Sequence, residues 1–228
     1  MARKDIASIV SGVGWACDFV GKLVDGLLAK GHTPEEIHSL VTAKSRPAMD
    51  KIVEEVSNFL RSIGSILRIN RSTPFNPAKF LGEGWSIWRG PADGNGLSGE
   101  EDQDRRSLAL TEVDLSKVRF ETCLHDGESS ITGEEKLRRL KEAGHIRLDA
   151  KVFQTLWENK DKIPESWKEK TDCNTTFIFF DGTTLRSPDG DRNVLFLYWS
   201  GGGWNWDFRW LHGDWDAHSP SAVLAKTA

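Results

Sequence analysis

Residues 199–220 have the sequence WSGGGWNWDFRWLHGDWDAHSP, which contains five of the chain's 10 tryptophans. Small, charged and aromatic residues fill the positions between them in no regular polar or apolar order. Trp204 and Trp206 are two positions apart, so an extended chain would place both on one face. So many indoles are costly to expose to water. The tryptophans are therefore expected either to anchor an irregular loop on a core, supplied by a buried strand at 194–199, or to form a recognition surface.

The residues between the tryptophans share a coding property. Residues 199–225 contain no Lys, Glu, Gln, Met or Ile. Every residue type in these gaps can be encoded by a codon that differs from an asparagine codon only at its two adenines. The tryptophan codon contains no adenine. The gaps are therefore interpreted as randomised positions, and the tryptophans as positions that adenine-directed mutation leaves unchanged.

Two sets of residues follow from this interpretation. The predicted variable positions, here called the gap residues, are Ser200, Gly201, Gly202, Asn205, Asp207, Phe208, Arg209, His212, Gly213, Asp214, Asp216, Ala217 and His218. The predicted supports, here called the scaffold residues, are Trp199, Trp204, Trp206, Trp210, Leu211 and Trp215. A surface that changes its sequence must not carry the stability of the fold. The scaffold tryptophans are therefore expected to face inward, where burial is worth roughly 2–3 kcal/mol for each.

The stretch VLFLYWSGGGWNWDFRWLHGDWDAHSPSAVLA, 194–225, resembles the variable region of proteins diversified by diversity-generating retroelements. The upstream stretch, which runs from RRSLALTEVDL to FIFFDGTTLRSP, is similar to the constant part of a family of proteins from uncultured small-genome bacteria. The resemblance covers about residues 75–228. It implies a C-type-lectin-like fold, in which two helices flank a short twisted antiparallel sheet and the domain's termini pair as strands. It also implies binding of a protein or glycan ligand that differs between family members, without catalysis.

The chain divides into three predicted parts. Residues 1–67 carry helical apolar patterns and are predicted to be a helical adaptor or oligomerisation segment. The first pattern is a seam of residues spaced by four and three, namely Ile6, Val10, Val13, Cys17, Val20, Val24 and Leu27. Residues 68–107 are rich in Gly, Pro and acidic residues and are predicted to be a linker and domain entry. Residues 108–228 alternate strand and helix patterns, which predicts an α+β domain.

Local motifs place elements within the third part. Thr132 is predicted to cap a helix that ends at Gly144, and Asp149 to cap a second one. Asp181-Gly182 lies between two apolar runs and predicts a two-residue hairpin turn. Asp189-Gly190-Asp191 is interpreted as a turn, because two nearby carboxylates are too few for a calcium loop. The stretch 222–225 is predicted to be a last strand.

Charge and composition exclude several partners. The net charge is −4 and the pI is near 5.9, which does not favour binding to nucleic acid or to an anionic membrane. No apolar run reaches the ~18 residues of a membrane span. A signal peptide at the start is disfavoured because Asp18 interrupts the apolar stretch. Three cysteines without a CxxC motif predict a protein of the reducing cytoplasm, with export and a Cys123–Cys173 disulfide left open.

Two other functions compete with a diversified binder. The first is a fixed glycan- or peptide-binding module in which Trp204, Trp206 and Trp210 are the contacts themselves. The second is a metal-dependent enzyme that uses His212 and His218, since a strand would place these histidines and the aspartates between them on one face. The sequence contains no GxSxG, HExxH or P-loop motif. No catalytic residue, metal or cofactor is therefore predicted.

Overall fold

The computed structural model describes residues 18, 20–40, 50, 51, 53–56 and 65–225. Its contacts divide the chain into two units, Met1–Arg61 and Ser62–Ala228. In the first unit residues 20–29 are helical, and helix α1 spans Pro34–Leu40. A reciprocal capping box begins α1, in which the Thr33 N–H donates to Glu36 Oε2 at 3.0 Å and the Glu36 N–H to Thr33 Oγ1 at 3.2 Å. The part of the predicted seam from Ile6 to Cys17 lies outside the described residues, whereas Val20, Val24 and Leu27, which continue it, lie in the helical stretch 20–29.

The second unit mixes helices and strands. Its helices are α2 (Pro77–Leu81), α3 (Arg105–Leu108), α4 (Gly133–Ala143) and α5 (Ala150–Glu158). Its strands are β1 (Ile66–Arg68), β2 (Ser86–Ile87), β3 (Glu112–Asp114), β4 (Arg119–Glu121), β5 (Ser130–Thr132), β6 (Ile146–Arg147), β7 (Phe177–Phe179), β8 (Leu185–Arg186), β9 (Arg192–Ser200), β10 (Gly203–Trp210), β11 (Asp214–Asp216) and β12 (Ser221–Leu224). No helix of the described residues is long and apolar enough to cross a membrane.

One eight-stranded sheet organises this unit. Its strand order is β2-β8-β9-β7-β12-β4, with β10 paired to β9 and β6 paired to β12. The pairing of β12 with β7 is parallel, so the sheet is mixed, rather than purely antiparallel as the resemblance to a C-type-lectin-like fold implies. A parallel pair needs a long connection, and the β9–β10 hairpin and β11 lie between these two strands. The remaining four strands form two separate two-stranded sheets, β1–β3 and β5–β11.

A tight hairpin forms the first half of the tryptophan-rich segment. Strands β9 and β10 pair along eight positions, from Ser200↔Gly203 to Asn193↔Trp210. Gly201 and Gly202 join them with φ of 62° and 79°. Two successive positive φ angles are what a type I′ turn requires, and glycine adopts them at low cost. Residues 203–210 are thus a regular strand, which corrects the expectation of an irregular loop.

The predicted hairpin at Asp181-Gly182 is wrong. Strands β7 and β8 do not pair with each other, and both pair with β9 instead. Gly182 is buried, and a β-carbon there would lie 2.2 Å from the carbonyl oxygen of Arg147. The glycine is therefore needed for the close approach of two backbone segments.

The predicted helix starts are confirmed. Thr132 Oγ1 accepts a hydrogen bond from the Glu135 N–H at 3.2 Å, and Asp149 accepts from the N–H groups of Lys151 and Val152 at 2.7 and 3.1 Å. Gly144 ends α4 in the left-handed conformation, with φ of 73°. The predicted last strand is also present as β12.

Residues 68–107 lie within the second unit. Ile69 and Phe75 are buried in its main core, and Trp88 is 3% exposed. These apolar residues are isolated in the sequence, so they leave no periodic pattern in a stretch that its Gly, Pro and acidic content marks as a linker. The described stretch 68–107 therefore contributes to the core.

Candidate ligand-binding surface

None of the gap residues is buried. Asn205, Gly213, Ala217 and His218 are half-buried, and the other gap residues are exposed. They occupy the end of β9, the β9–β10 turn, both faces of β10 and the loop that carries β11. Strand β10 pairs only with β9 among the described residues, so its other edge faces away from the sheet. The set predicted from coding therefore lies on an accessible surface.

The scaffold residues are buried to different degrees. Trp204, Leu211 and Trp215 are 8%, 0% and 1% exposed, and Trp199 and Trp206 are half-buried. Trp210 is 54% exposed, which corrects its assignment as an inward-facing support.

The alternation of β10 explains why Trp210 is exposed. Side chains at positions 204, 206, 208 and 210 share one face of the strand. Trp206 packs against Phe80, with ring centroids 4.9 Å apart, whereas Phe208 contacts Trp85 at 4.6 Å and is already 41% exposed. Along this face of β10 the side chains are therefore buried at Trp204 and exposed by Trp210.

Trp215 anchors the second half of the segment. Its ring stacks on Phe179, with centroids 4.0 Å apart, and its indole N–H donates to the carbonyl of Trp210 at 3.2 Å. A β-carbon at Gly133 would lie 2.9 Å from both the Leu211 backbone and the Trp215 ring. The loop therefore packs directly on the start of α4.

Lys136 lies beneath this loop and is 1% exposed. Its Nζ donates to the carbonyl oxygen of Ser219 and lies 4.8 Å from the Trp215 ring centroid and 5.2 Å from that of Phe179. Burial lowers the pKa of Lys136 to about 8, although Asp181 and Cys123 act in the opposite direction. Because Lys136 binds a main-chain carbonyl, it holds the loop without depending on any gap side chain.

We expect the free energy of unfolding of the wild type, relative to that of Lys136→Met, to rise between pH 8 and pH 9. The folded pKa of Lys136 is about 8, below its ordinary value of 10.5, so in this window the unfolded chain binds the extra proton. Stability rises with pH wherever the unfolded state binds more protons. The rise approaches about 1.4 kcal/mol per pH unit, and urea unfolding at half-unit intervals measures it.

The Lys136→Met variant supplies the baseline because it leaves Cys123 in place. Burial raises the pKa of the Cys123 thiol from 9.0 to about 11. This thiol stabilises the fold below pH 9 and loses that contribution as the pH rises to 11, in both proteins. Parallel pH profiles of the two proteins between pH 8 and pH 9 would contradict the buried position of Lys136 Nζ.

The stretch 212–218, in which histidines and aspartates alternate with other residues, is not one continuous strand. Strand β11 spans only Asp214–Asp216, so His212 and His218 lie in the turns that flank it. His218 Nδ1 lies 3.2 Å from Asp216 Oδ2, and its Nε2 lies 3.0 Å from Asn174 Nδ2. Among the described residues, no group of three His, Cys, Asp or Glu side chains could hold a metal ion. Nothing in this arrangement supports the metal-enzyme alternative.

The cysteines of the second unit are free thiols. Cys123 is half-buried, Cys173 is exposed, and no disulfide joins them. Cys17 lies outside the described residues.

One glycine-rich pattern, GNGLSG at 94–99, matches the spacing of dinucleotide-binding loops. Such a loop must follow a strand and open a helix. Residues 94–99 instead lie in turns and an isolated bridge, and α3 begins only at Arg105. A β-carbon at Gly96 would lie 2.5 Å from the Trp88 ring, so this glycine allows close packing on Trp88.

A surface cavity of about 510 Å³ lies where β10 ends. It brings the gap residue Phe208 and the exposed Trp210 together with Trp85, Asp189 and Asp191. The sequence marked the two aspartates only as a turn and gave Trp85 no role. Trp85 lies more than 100 positions before the other four residues, so only the folded sheet brings them together.

A comparison of the chain with protein-family models, curated proteins and solved structures found no match in any of the three.

Proposed function

We propose that the chain is a non-catalytic ligand-binding protein, a variable protein of a diversity-generating retroelement. In this proposal the gap residues form the binding surface, and the buried scaffold residues hold it in place. The observation that carries the proposal is the difference in burial between the two sets. Every gap residue is exposed or half-buried, while Trp204, Leu211 and Trp215 are buried. Residues that vary between copies can mediate binding only if other residues stabilise the fold.

A C-type-lectin-like fold is part of the same proposal. Helices α4 and α5 accompany one sheet, and β12, near the end of the described chain, pairs with β4. These are features that the resemblance implies for residues 108–228. The mixed sheet and the core residues contributed by 68–107 extend beyond that pattern.

Two further parts of the interpretation remain predictions. Residues 1–67 are proposed to join copies of the chain, which would raise avidity for a weakly bound ligand. Exposed apolar side chains in the first unit, such as Leu23 and Leu28 at 41% and 43%, fit that role. The cytoplasmic location rests on cysteine usage alone.

Sequencing the 3′ end of this gene in its native population tests diversification. We expect substitutions to cluster in the codons of the gap residues and to spare those of Trp204 and Trp215. The flanking DNA is expected to contain a near-copy with adenines at the variable positions, and a reverse transcriptase gene. Substitutions spread evenly along the gene, with no near-copy, would refute the proposal.

A fixed binding module is the second candidate, because Trp210 is 54% exposed beside the exposed Phe208. In that case Trp210→Ala would abolish ligand binding without unfolding the chain, and the gap codons would not vary between copies. The two outcomes of sequencing therefore separate the candidates before a ligand is known.

A further inference from the structure

We propose that the cavity at the end of β10 binds a primary ammonium group, as on a lysine side chain of a partner protein. The cavity lies at one end of the proposed binding surface. The inference rests on the proposed function only in that Phe208 is one of the residues proposed to vary. Three aromatic rings and three side chains with acceptor oxygens define the proposed site. These residues are Trp85, Phe208, Trp210, Asp189, Asp191 and Asn193. Ser187, Pro188 and Arg209 complete the lining of the cavity.

The aromatic part of the cavity presents exposed rings. Trp85 and Phe208 meet edge to face, with centroids 4.6 Å apart. Phe208 and Trp210 are 41% and 54% exposed, because the aromatic row of β10 extends past the core at this end. A cation within about 6 Å of a ring centroid is attracted by the ring's quadrupole. The rings also shield the alkyl chain that carries the ammonium from water.

The polar part of the cavity presents three side chains with acceptor oxygens, beside the Ser187 hydroxyl and Arg209. Asn193 is 3% exposed, and its Nδ2 donates to the Asp191 carbonyl at 3.2 Å. Within residues 65–225 its Oδ1 accepts no hydrogen bond, and the Asp189 and Asp191 carboxylates form no ion pair. An ammonium group has three N–H donors and no acceptor. It therefore matches a lining that offers an amide oxygen and two carboxylates.

The turn that carries the two aspartates is fixed by its own hydrogen bonds. The Ser187 N–H donates to the Asp191 carbonyl at 2.9 Å, and the Asp191 N–H donates to Ser187 Oγ at 3.1 Å. Pro188 of the same turn packs on Gly84, where a β-carbon would lie 3.1 Å from its ring. Trp85 is therefore held beside the turn. A preformed site loses less entropy when a ligand binds.

Arg209 is one of the residues that line the cavity and Arg186 lies near it, and both guanidinium groups donate to main-chain carbonyls. Arg209 extends from the opposite face of β10 to Phe208, and its guanidinium donates to the Asp214 carbonyl at 2.8 Å. The Arg186 guanidinium donates to the Asn95 carbonyl at 3.0 Å. Neither forms an ion pair within 4.0 Å in the described part of the chain. The carboxylates of the cavity can thus pair with an incoming cation.

Titration of the full chain with Nα-acetyl-lysine methylamide tests the proposal. The norleucine analogue has a similar alkyl chain without the ammonium group. In ¹H–¹⁵N spectra we expect the lysine probe to shift the indole N–H signals of Trp85 and Trp210 saturably. The norleucine probe is expected to bind at least about tenfold more weakly. The double variant Asp189→Asn/Asp191→Asn should weaken lysine binding by a similar factor.

Asp126→Asn is the matched control, because Asp126 is exposed, lies outside both the cavity lining and the gap residues, and its loss should leave lysine binding as in the wild type. Thermal unfolding of each variant confirms that it is folded. Equal binding of the lysine and norleucine probes, or an equal loss of lysine binding in Asp126→Asn, would overturn the proposal. If the lysine probe does not bind but the gap codons vary between copies, the cavity site is refuted and the proposed function is not. Lysine binding with invariant codons supports the site and refutes diversification.

Discussion

Replacing Trp215 by alanine is expected to lower the free energy of unfolding by about 3–5 kcal/mol. Trp215 is 1% exposed and stacks on Phe179, with ring centroids 4.0 Å apart. Its indole N–H also donates to the Trp210 carbonyl at 3.2 Å. The substitution leaves a large cavity above α4 and removes the ring that lies over Lys136 Nζ. Urea unfolding followed by circular dichroism measures the loss without depending on tryptophan fluorescence.

Trp210→Ala is the control for this prediction. It removes the same side chain five positions away, but Trp210 is 54% exposed. We expect a loss of less than about 1 kcal/mol, since substitutions at exposed positions rarely cost more. The gap variant Asp207→Asn should stay within about 0.5 kcal/mol of the wild type. Similar losses in Trp215→Ala and Trp210→Ala would show that burial does not separate scaffold from surface.

The separation of these two tryptophans could not be predicted from the sequence. Both lack adenine in their codon, so the coding pattern assigns them the same role. Their difference arises from the pairing of β10 with β9, in which Trp210 stands opposite Asn193 at the far end of the hairpin. Trp204 stands opposite Trp199, and their rings lie 5.5 Å apart at the core. The coding pattern predicts which positions vary, whereas the register of β10 on β9 decides which side chains are buried.

Local signals were the most reliable part of the sequence analysis. The caps at Thr132 and Asp149 were predicted correctly, because a cap depends on residues within one turn of the helix. The hairpin turn predicted at Asp181-Gly182 is wrong, because Gly182 instead accommodates the backbone at Arg147, which is distant in sequence. The ammonium cavity depends on residues near 85, 190 and 210 for the same reason. Contacts between distant segments leave no local pattern.

Replacing Asp149 by alanine is expected to lower the free energy of unfolding by about 3–5 kcal/mol. Its side chain is fully buried and accepts two hydrogen bonds from the Arg71 guanidinium, at 3.0 and 2.9 Å. The hydroxyl of Ser107 donates to the same carboxylate at 2.6 Å. The carboxylate also caps α5 through two backbone N–H groups. Alanine removes the cap and leaves the charge of Arg71, which is 18% exposed, without its carboxylate.

Asp149→Asn separates the two contributions, because asparagine is an equally good cap but carries no charge. We expect about half of the loss seen with alanine, since Arg71 keeps the carbonyls of Ser107 and Leu110 as acceptors at 2.7 and 2.8 Å. Asp114→Asn is the matched control, as Asp114 caps a short 3-10 helix but pairs with Lys117, which is 76% exposed. That change should cost less than about 1 kcal/mol. A loss in Asp149→Asn no larger than in Asp114→Asn would show that the ion pair of Asp149 with Arg71 contributes little to the stability of the second unit.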